Sequence, residues 1–243
     1  MDLTGSVAIV TGAATEMGGA VAATLAGAGV SVVALFDNDA EGLVTVAEVV
    51  RAAGARAVPR LVDTADSVEV AHAFADVSAA EGRVDVVCNH PTPIPGAGPL
   101  VDASLARVGH VIDAQVTALL EATRLALAVM EGRGGVVVNT VTAESLDPLP
   151  SDPVHAAAKA AVVSFTRACA PLAGSHGVRI NAVCPGLADP DRAGLAAHPA
   201  GGVRVGRPLP LAARLHVDDL VAAVVGLVRD DQRFGEVVTV PNR

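Results

Sequence analysis

The sequence predicts an α/β fold in which helices cover both faces of a doubly wound parallel sheet. Short Val-rich runs alternate along the chain with longer Ala-rich amphipathic stretches, which is the pattern of repeated β–α–β units. The Val-rich runs are apolar on both faces, as in strands that are buried on both sides. A chain of 243 residues, 51% of them hydrophobic, is long enough to bury such a core, so we expect one three-layer α/β/α domain over residues 1–243.

Seven strands and six helices follow from this alternation. The strands are predicted at residues 6–11, 31–36, 55–62, 84–89, 134–141, 177–184 and 235–240. The helices are predicted at residues 17–28, 39–53, 66–80, 104–131, 154–174 and 217–229. Pro- and Gly-rich segments at 90–99 and 185–202 follow strands at the carboxyl edge of the sheet, where ligands bind in open α/β sheets. The second segment is long enough for a lid, and a disordered surface loop is the alternative.

Composition narrows the class of partner. The formal net charge is -9 and no basic block is present, which argues against nucleic acid and anionic membranes. No apolar run has the length of a membrane span, and the first residues lack the basic region of a signal peptide. We therefore expect a cytoplasmic protein with a small-molecule ligand. Cys88, Cys169 and Cys184 are scattered, so they are interpreted as buried thiols and no metal site is predicted.

A glycine-containing turn, TGAATEMGG at residues 11–19, lies between the first strand and the first helix. Glycines there let the backbone approach a pyrophosphate, which the helix N-terminus binds. Asp37 ends the second strand, where a carboxylate can bind an adenine ribose hydroxyl; a helix cap with Asn38 and Asp39 is the alternative. Residues 1–50 contain no Lys or Arg to bind a 2′-phosphate. A dinucleotide bound here is therefore expected to be NAD rather than NADP, unless an arginine from elsewhere reaches the site.

The order of the motifs resembles the short-chain dehydrogenase/reductase family over nearly the whole chain. The matching stretches are TGAATEMGG, the LVDTAD that contains Asp63, VDVVCNHP, VVVNTVT, HAAAK and GVRINAVCPG. The resemblance implies a Rossmann-like fold, NAD(P) oxidoreductase chemistry and a dimer or tetramer. It also implies dinucleotide contacts at Gly12, Ala14, Met17, Gly18, Asp37, Asp63, Asn89, Lys159, Pro185 and Gly186.

The departures from the family pattern lie where the chemistry is expected. Glu16 stands where the turn normally has its middle glycine. Gln115, Thr142 and His155 stand at the family's Asn, Ser and Tyr positions, and Lys159 alone matches the catalytic set. The tyrosine has not moved, since the chain contains no Tyr.

The pair of His155 and Lys159 retains part of the family's chemistry. Histidine also acts as an acid or a base near neutral pH, and the two residues lie at i and i+4 on one helix face. An imidazole is shorter than a phenol, so the substrate must bind deeper or a water must relay the proton. Thr142 keeps the hydroxyl of the serine, so it either retains the catalytic role or is only a residue that favours a strand. Gln115 keeps the amide of the asparagine, so it either has a catalytic or water-relay role or has none.

Two hypotheses follow. In the first, the protein is a degenerate family member used for assembly or ligand binding, as a homo-oligomer or as the non-catalytic partner of an active relative; the joint loss of several site positions favours it. Glu16 would then bind the amides of its own helix start and leave the site without a dinucleotide. In the second, it is an atypical enzyme in which His155, Lys159 and Thr142 act on a hydroxyl or carbonyl substrate, with NAD or as a cofactor-free lyase, isomerase or cyclase. The second hypothesis predicts an open site near Lys159.

The other histidines carry weaker signals. His90 follows Asn89 beside a Pro-rich segment, and we expect it to be solvated, although its position would also let it line the same cleft. The remaining histidines are scattered without carboxylate or histidine partners at ligand spacing, so they do not predict a metal site.

Overall fold

Seven parallel strands form one sheet in the computed structural model, which describes residues 1–91, 97–142, 145, 152–187 and 217–241. The strand order is β3-β2-β1-β4-β5-β6-β7, which confirms the predicted Rossmann-like class. The strands are β1 Val7–Thr11, β2 Val32–Asp37, β3 Arg56–Leu61, β4 Val86–Asn89, β5 Gly135–Thr140, β6 Val178–Leu187 and β7 Val237–Pro241. The order reverses between β1 and β4, so a crevice opens at their carboxyl ends. Most of the segment proposed as a lid, residues 188–202, lies outside the described residues.

Helices connect the strands and cover both faces of the sheet. They are α1 Glu16–Gly27, α2 Ala40–Ala52, α3 Ser67–Glu81, α4 Leu105–Ile112, α5 Ala118–Val129, α6 Pro153–Ala168, α7 Leu172–Ser175 and α8 Val217–Arg229. Side chains just before several of these helices accept hydrogen bonds from the first-turn N–H groups, as Thr15, Asp39 and Asp152 do. Such a cap stabilises a helix by about 1 kcal/mol and fixes the residue at which it begins.

Three predicted boundaries are wrong, each for a local reason. The predicted helix 104–131 is interrupted by a π-helical turn at Asp113–Thr117, where the N–H of Ala118 donates to the carbonyl of Asp113. The predicted helix 154–174 ends at Ala168, because the ring of Pro171 cannot continue it. Strand β6 continues to Leu187, past the predicted 184, because a bulge lets its last residues pair with β7.

Alternate side chains of each strand pack on opposite faces of the sheet. Ala8 and Val10 of β1 lie in a core with helices α1, α2 and α8, whereas Val7 and Ile9 lie in a second core with α3 and α5. The first core is built mainly from Ala, Val and Leu, and the second adds Phe36, Phe74 and Met130 to Ala, Val and Ile. The two-sided burial predicted from the apolar strands is therefore confirmed.

Buried amides join the carboxyl ends of two central strands to the helices beside them. The Asn89 Nδ2 group of β4 donates to Asn139 Oδ1 of β5 at 3.0 Å and to Thr123 Oγ1 of α5 at 3.3 Å. Asn139 Nδ2 in turn lies 3.4 Å from Thr166 Oγ1 of α6. All four residues are buried, with at most 2% of their surface exposed. This amide ladder fixes where β4, β5, α5 and α6 lie relative to one another.

Arg179 of β6 holds the end of the last helix. Its guanidinium donates to the carbonyls of Leu227 and Val228, both at 2.8 Å, and to that of Asp230 at 3.0 Å. Leu227 and Val228 lie in the last turn of the helix, whose final carbonyls have no intrahelical partner. The Arg179 side chain is 7% exposed. If it is replaced by an apolar side chain, water does not readily reach these carbonyls to take the place of the guanidinium.

We expect Arg179→Met to lower the free energy of unfolding by about 2–4 kcal/mol, because three carbonyls lose a charged donor. Chemical denaturation at pH 7 measures the change. Arg133→Met, at an exposed position, serves as the matched control and should stay within about 0.5 kcal/mol of the wild type. Equal losses in both variants would contradict the anchoring role.

Candidate active site

A cavity of about 220 Å³ opens at the carboxyl edge of the sheet, and the four predicted catalytic side chains line it. Thr142 follows β5, Gln115 lies in the π-helical turn, and His155 and Lys159 come from the start of α6. Met17 of α1 and His90, which follows β4, also line the cavity. We call this space the Lys159 cavity. The predicted open site near Lys159 is therefore present.

The start of α6 places His155 and Lys159 one turn apart on the same face. Asp152 Oδ1 accepts the N–H of His155 at 3.2 Å, and Pro153 occupies the first helical position, where its missing N–H is harmless. His155 is half-buried, whereas Lys159 is only 3% exposed. The cavity wall therefore presents an imidazole near its opening and an ammonium deeper inside.

Thr142 is anchored by its backbone. Its carbonyl accepts the Ser145 hydroxyl at 2.6 Å and the Cys184 thiol at 3.2 Å. Its own Oγ1 is buried and has no hydrogen-bond partner among the described residues. Buried hydroxyls are normally hydrogen-bonded, so this one is suited to a ligand oxygen. Gln115 is 2% exposed, in a type of helical irregularity that is frequent at functional sites.

Two of the three glycines of the turn at residues 11–19 are required by close backbone contacts. Gly12 has φ +61°, and a Cβ there would lie 2.0 Å from the His90 carbonyl oxygen. A Cβ at Gly18 would lie 2.1 Å from the carbonyl oxygen of Gly12. The turn therefore packs tightly on itself and on the segment after β4, which brings β1, α1 and β4 together at the cavity.

Glu16 does not occupy the helix start in the way the first hypothesis predicts. Its side chain is exposed, and the Thr15 hydroxyl accepts the N–H of Gly18 at 3.0 Å instead. The N–H groups of Glu16 and Met17 donate to no backbone or side-chain acceptor in the described part of the chain. That prediction for Glu16 is wrong because a shorter hydroxyl at the preceding position already serves as the cap. The helix start keeps donors for an anionic ligand.

Asp37 braces the turn from the neighbouring strand. Its carboxylate accepts the N–H of Ala14 and the N–H of Asp39, both at 3.0 Å, and it is 2% exposed. Asp39, not Asp37, caps α2 by accepting the N–H groups of Glu41 and Gly42. The cap interpretation of Asp37 is therefore wrong. A carboxylate has about four lone-pair sites, so two remain for a ribose hydroxyl.

The other predicted dinucleotide contacts lie at the same sheet edge but outside the Lys159 cavity. Asp63 is exposed, and its carboxylate accepts the N–H of Ala65 at 2.9 Å. Pro185 and Gly186 lie near the carboxyl end of β6. Asn89 faces a separate void of about 20 Å³, which is large enough for a single water. The structure thus brings the predicted catalytic residues and Met17 together in the cavity. Asp63, Asn89, Pro185 and Gly186 lie outside it.

The expectation that His90 is solvated is wrong, and the alternative, that it lines the same cleft, is what the structure has. His90 is 4% exposed rather than solvated, lines the Lys159 cavity, and donates its N–H to Thr11 Oγ1 at 3.1 Å. Burial, together with the positive charge of Lys159, lowers the pKa of its imidazole from 6.5 to about 4. Its place directly after the last residue of a fully buried strand is the signal that could have found it.

The charges of the cavity favour a ligand rich in acceptors. Lys159 supplies an ammonium, His90 is neutral above its lowered pKa, and no Asp or Glu is among the described residues that line the wall. Together with the glycine turn and the donors of the α1 start, these residues fit the nicotinamide half of a dinucleotide.

Several other features of the chain carry no site. Cys88, Cys169 and Cys184 are buried thiols, as predicted, and burial raises the pKa of the Cys88 thiol to about 12. In the described ranges, no three His, Cys, Asp or Glu side chains are grouped for a metal ion. None of the described helices combines the length and apolar character needed to cross a membrane.

Comparison with known proteins decides the family. Residues 6–198 match the short chain dehydrogenase family. The chain belongs to that family. The cis-4-hydroxycyclohexanecarboxylate dehydrogenase of Sinomonas cyclohexanicum is 34% identical over 231 residues, 94% of this chain and 91% of its own.

Further dehydrogenases are similar in sequence or structure. The 2,5-dichloro-2,5-cyclohexadiene-1,4-diol dehydrogenase of Sphingobium indicum is 35% identical over 188 residues, 76% of this chain and 73% of its own. A short chain dehydrogenase from Mycobacterium smegmatis superposes with a TM-score of 0.78 at 28% identity, over 100% of this chain and 94% of that one. An NAD⁺-bound xylitol dehydrogenase has the same fold, with a TM-score of 0.85 at 22% identity over 100% of both chains.

The lowered pKa of His90 makes the stability of the chain depend on pH. Above pH 6.5 the imidazole is neutral in both the folded and the unfolded chain. Between pH 6.5 and about pH 4 the unfolded chain binds a proton that the folded chain does not bind. The free energy of unfolding therefore falls as the pH falls through this window. Between pH 7.5 and pH 5 the free energy of unfolding should fall by about 2 kcal/mol less in His90→Asn than in the wild type, because the variant lacks the group with the lowered pKa. Denaturation curves at the two pH values measure this, with the exposed His176→Asn as the control. The same pH dependence in wild type and His90→Asn would contradict a buried neutral imidazole.

Proposed function

We propose that this protein is an NAD(H)-dependent oxidoreductase that interconverts a hydroxyl and a carbonyl group on a small substrate, with His155 as the acid or base. One observation carries the proposal. Gln115, Thr142, His155 and Lys159 line a single open cavity beside the glycine turn, rather than being scattered or filled by core side chains. The family relatives named as dehydrogenases support the same reading.

The residues around the cavity would hold the dinucleotide at both ends of its nicotinamide half. The donors at the start of α1, beside Gly12 and Met17, suit the phosphates, and Lys159 suits the nicotinamide ribose. When bound, the dinucleotide accepts or supplies the hydride. Asp37 and the absence of Lys and Arg from residues 1–50 support NAD over NADP.

The proton chemistry falls to His155. Its imidazole takes the proton from the substrate hydroxyl during oxidation and returns it to the carbonyl oxygen during reduction, directly or through one water. Lys159, one turn further along α6, lowers the cost of negative charge on the substrate oxygen. Thr142 Oγ1, which has no partner among the described residues, would hydrogen-bond the same oxygen. Because an imidazole is shorter than a phenol, the substrate must bind closer to α6 than it would beside a tyrosine.

The cavity and the relatives support a small cyclic alcohol as substrate. Two relatives are named for hydroxylated six-membered rings, one of which bears a carboxylate. A volume of about 220 Å³ without any carboxylate in its described wall suits a compact ring with acceptor groups.

A second candidate function, subunit assembly, has its own support. Leu100, Val101 and Leu105 lie at or just before the start of α4 and are 61%, 93% and 86% exposed. Clustered exposed apolar side chains often mark protein interfaces. We propose a homo-oligomer, a dimer or tetramer, or a hetero-oligomer with an active relative; a chain that only assembles would show no His155-dependent turnover.

The proposal predicts that His155→Phe lowers kcat/KM about 10²-fold or more, because the proton transfer loses its group. NADH formation from NAD and a panel of cyclohexanols and hydroxycyclohexanecarboxylates measures it. His155→Tyr, which restores a phenol, should retain turnover, and the exposed His110→Phe is the matched control. If His155→Phe turns over as fast as the wild type, the assigned role of His155 is wrong; if no protein in the set turns over, the assembly function is favoured.

A further inference from the structure

Thr142 lies directly after the point where the backbone pairing of β5 with β6 loses a bond. The pairing runs to Thr140 and Val183, and the N–H of Val141 then donates to the Val183 carbonyl at 2.9 Å. The next bond of this parallel ladder would come from the N–H of Pro185, and proline has none. Backbone pairing with β6 is therefore weakened directly before the residue that carries the Thr142 hydroxyl.

Two side chains donate to the Thr142 carbonyl beyond this point. The Ser145 hydroxyl lies 2.6 Å from it, and the Cys184 thiol lies 3.2 Å from it. The N–H of Ser145 donates to the same oxygen at 2.9 Å, so Ser145 closes a turn of its own segment. Cys184 belongs to β6 and is 0% exposed. The thiol therefore ties Thr142 to the neighbouring strand where the ladder does not.

The thiol proton is assigned by the distances around the Thr142 carbonyl. Ser145 and Cys184 each have one side-chain proton to donate. The hydroxyl proton is used on the carbonyl at 2.6 Å. The Cys184 Sγ lies 3.2 Å from the same carbonyl but 3.7 Å from the Ser145 Oγ. The closer carbonyl oxygen takes the thiol proton, so Cys184 is a donor to Thr142.

The place of the Thr142 hydroxyl follows from the backbone that this contact holds. Thr142 lines the Lys159 cavity, and its Oγ1 is buried with no hydrogen-bond partner among the described residues. The backbone position of Thr142 therefore decides where this hydroxyl meets a ligand. A displacement of about 1 Å at a reacting centre can cost a large factor in rate.

We propose that Cys184 is a positioning residue of the candidate active site. Its thiol holds the Thr142 carbonyl and thereby keeps the Thr142 hydroxyl directed at the substrate oxygen. This inference rests on the proposed function, because it acts through a hydroxyl that the proposed chemistry uses. Cys184 is not among the described residues that line the Lys159 cavity, so its loss changes the rate of the chemical step and not the affinity for NAD.

The first test is steady-state kinetics of the wild type, Cys184→Ala and Cys184→Ser with NAD and the panel of cyclic alcohols. We expect Cys184→Ala to lower kcat about three- to tenfold, as for loss of one neutral hydrogen bond, with the KM for NAD within about twofold of the wild type. Cys184→Ser restores a donor and should keep kcat within about twofold. Cys169→Ala, the same change at another buried thiol, is the matched control and should keep the wild-type kcat.

A double-mutant cycle with Thr142→Val distinguishes positioning from a general loss of packing. Thr142→Val keeps the branched shape and the backbone carbonyl but has no hydroxyl. If Cys184 acts through that hydroxyl, Cys184→Ala should lower kcat no further in the Thr142→Val background. The same factor in both backgrounds would overturn the inference, and so would a Cys184→Ala enzyme with the wild-type kcat.

The outcomes separate this inference from the function on which it rests. If the wild type turns over a substrate and the cycle shows no coupling, the positioning role of Cys184 is overturned while the proposed function stands. If the wild type turns over none, the proposed function fails and the inference fails with it. If thermal melting shows that Cys184→Ala has lost its fold, Cys184→Val, which fills the space of the thiol without a donor, replaces it in the same cycle.

Discussion

The amide ladder of Asn89, Asn139 and Thr166 joins the carboxyl ends of two central strands to α6 among buried side chains. Losing such a contact leaves a buried amide or hydroxyl without a partner, so the ladder opposes displacement of these elements. The residues after these strands, His90 and Thr142, and the lysine on α6 all reach the cavity from the elements that the ladder joins. The geometry of the candidate site thus depends on contacts that never touch a ligand.

Two imidazoles line the cavity that this frame positions. His155 comes from the start of α6, and His90 follows β4. The ammonium of Lys159 helps to lower the pKa of His90, and it lies one helical turn from His155. A wall with one cation and no described carboxylate is suited to a negatively polarised oxygen, which both a dinucleotide and an alkoxide-like substrate present.

Much of the fold could be predicted from sequence because strand and helix periods differ. The seven apolar runs and the bounds of α8 follow from that contrast, and so does the meeting of Gln115, Thr142, His155 and Lys159 at one sheet edge. The π-helical turn could not be predicted, because one extra residue leaves the apolar pattern of a long helix intact. The capping of α1 by Thr15 rather than Glu16 depends on distances of a few ångströms, which spacing along the chain does not encode.

The most direct test of the central claim, that the Lys159 cavity is a working dinucleotide site, is calorimetric titration of the wild type and Glu16→Gly with NADH. The account predicts that the wild type binds with a micromolar Kd and that Glu16→Gly changes the Kd only a few-fold, because Thr15 and not Glu16 caps the helix. A wild type without binding heat at millimolar NADH, together with binding gained by Glu16→Gly, would contradict it and identify the chain as a family member whose site is blocked by its own carboxylate.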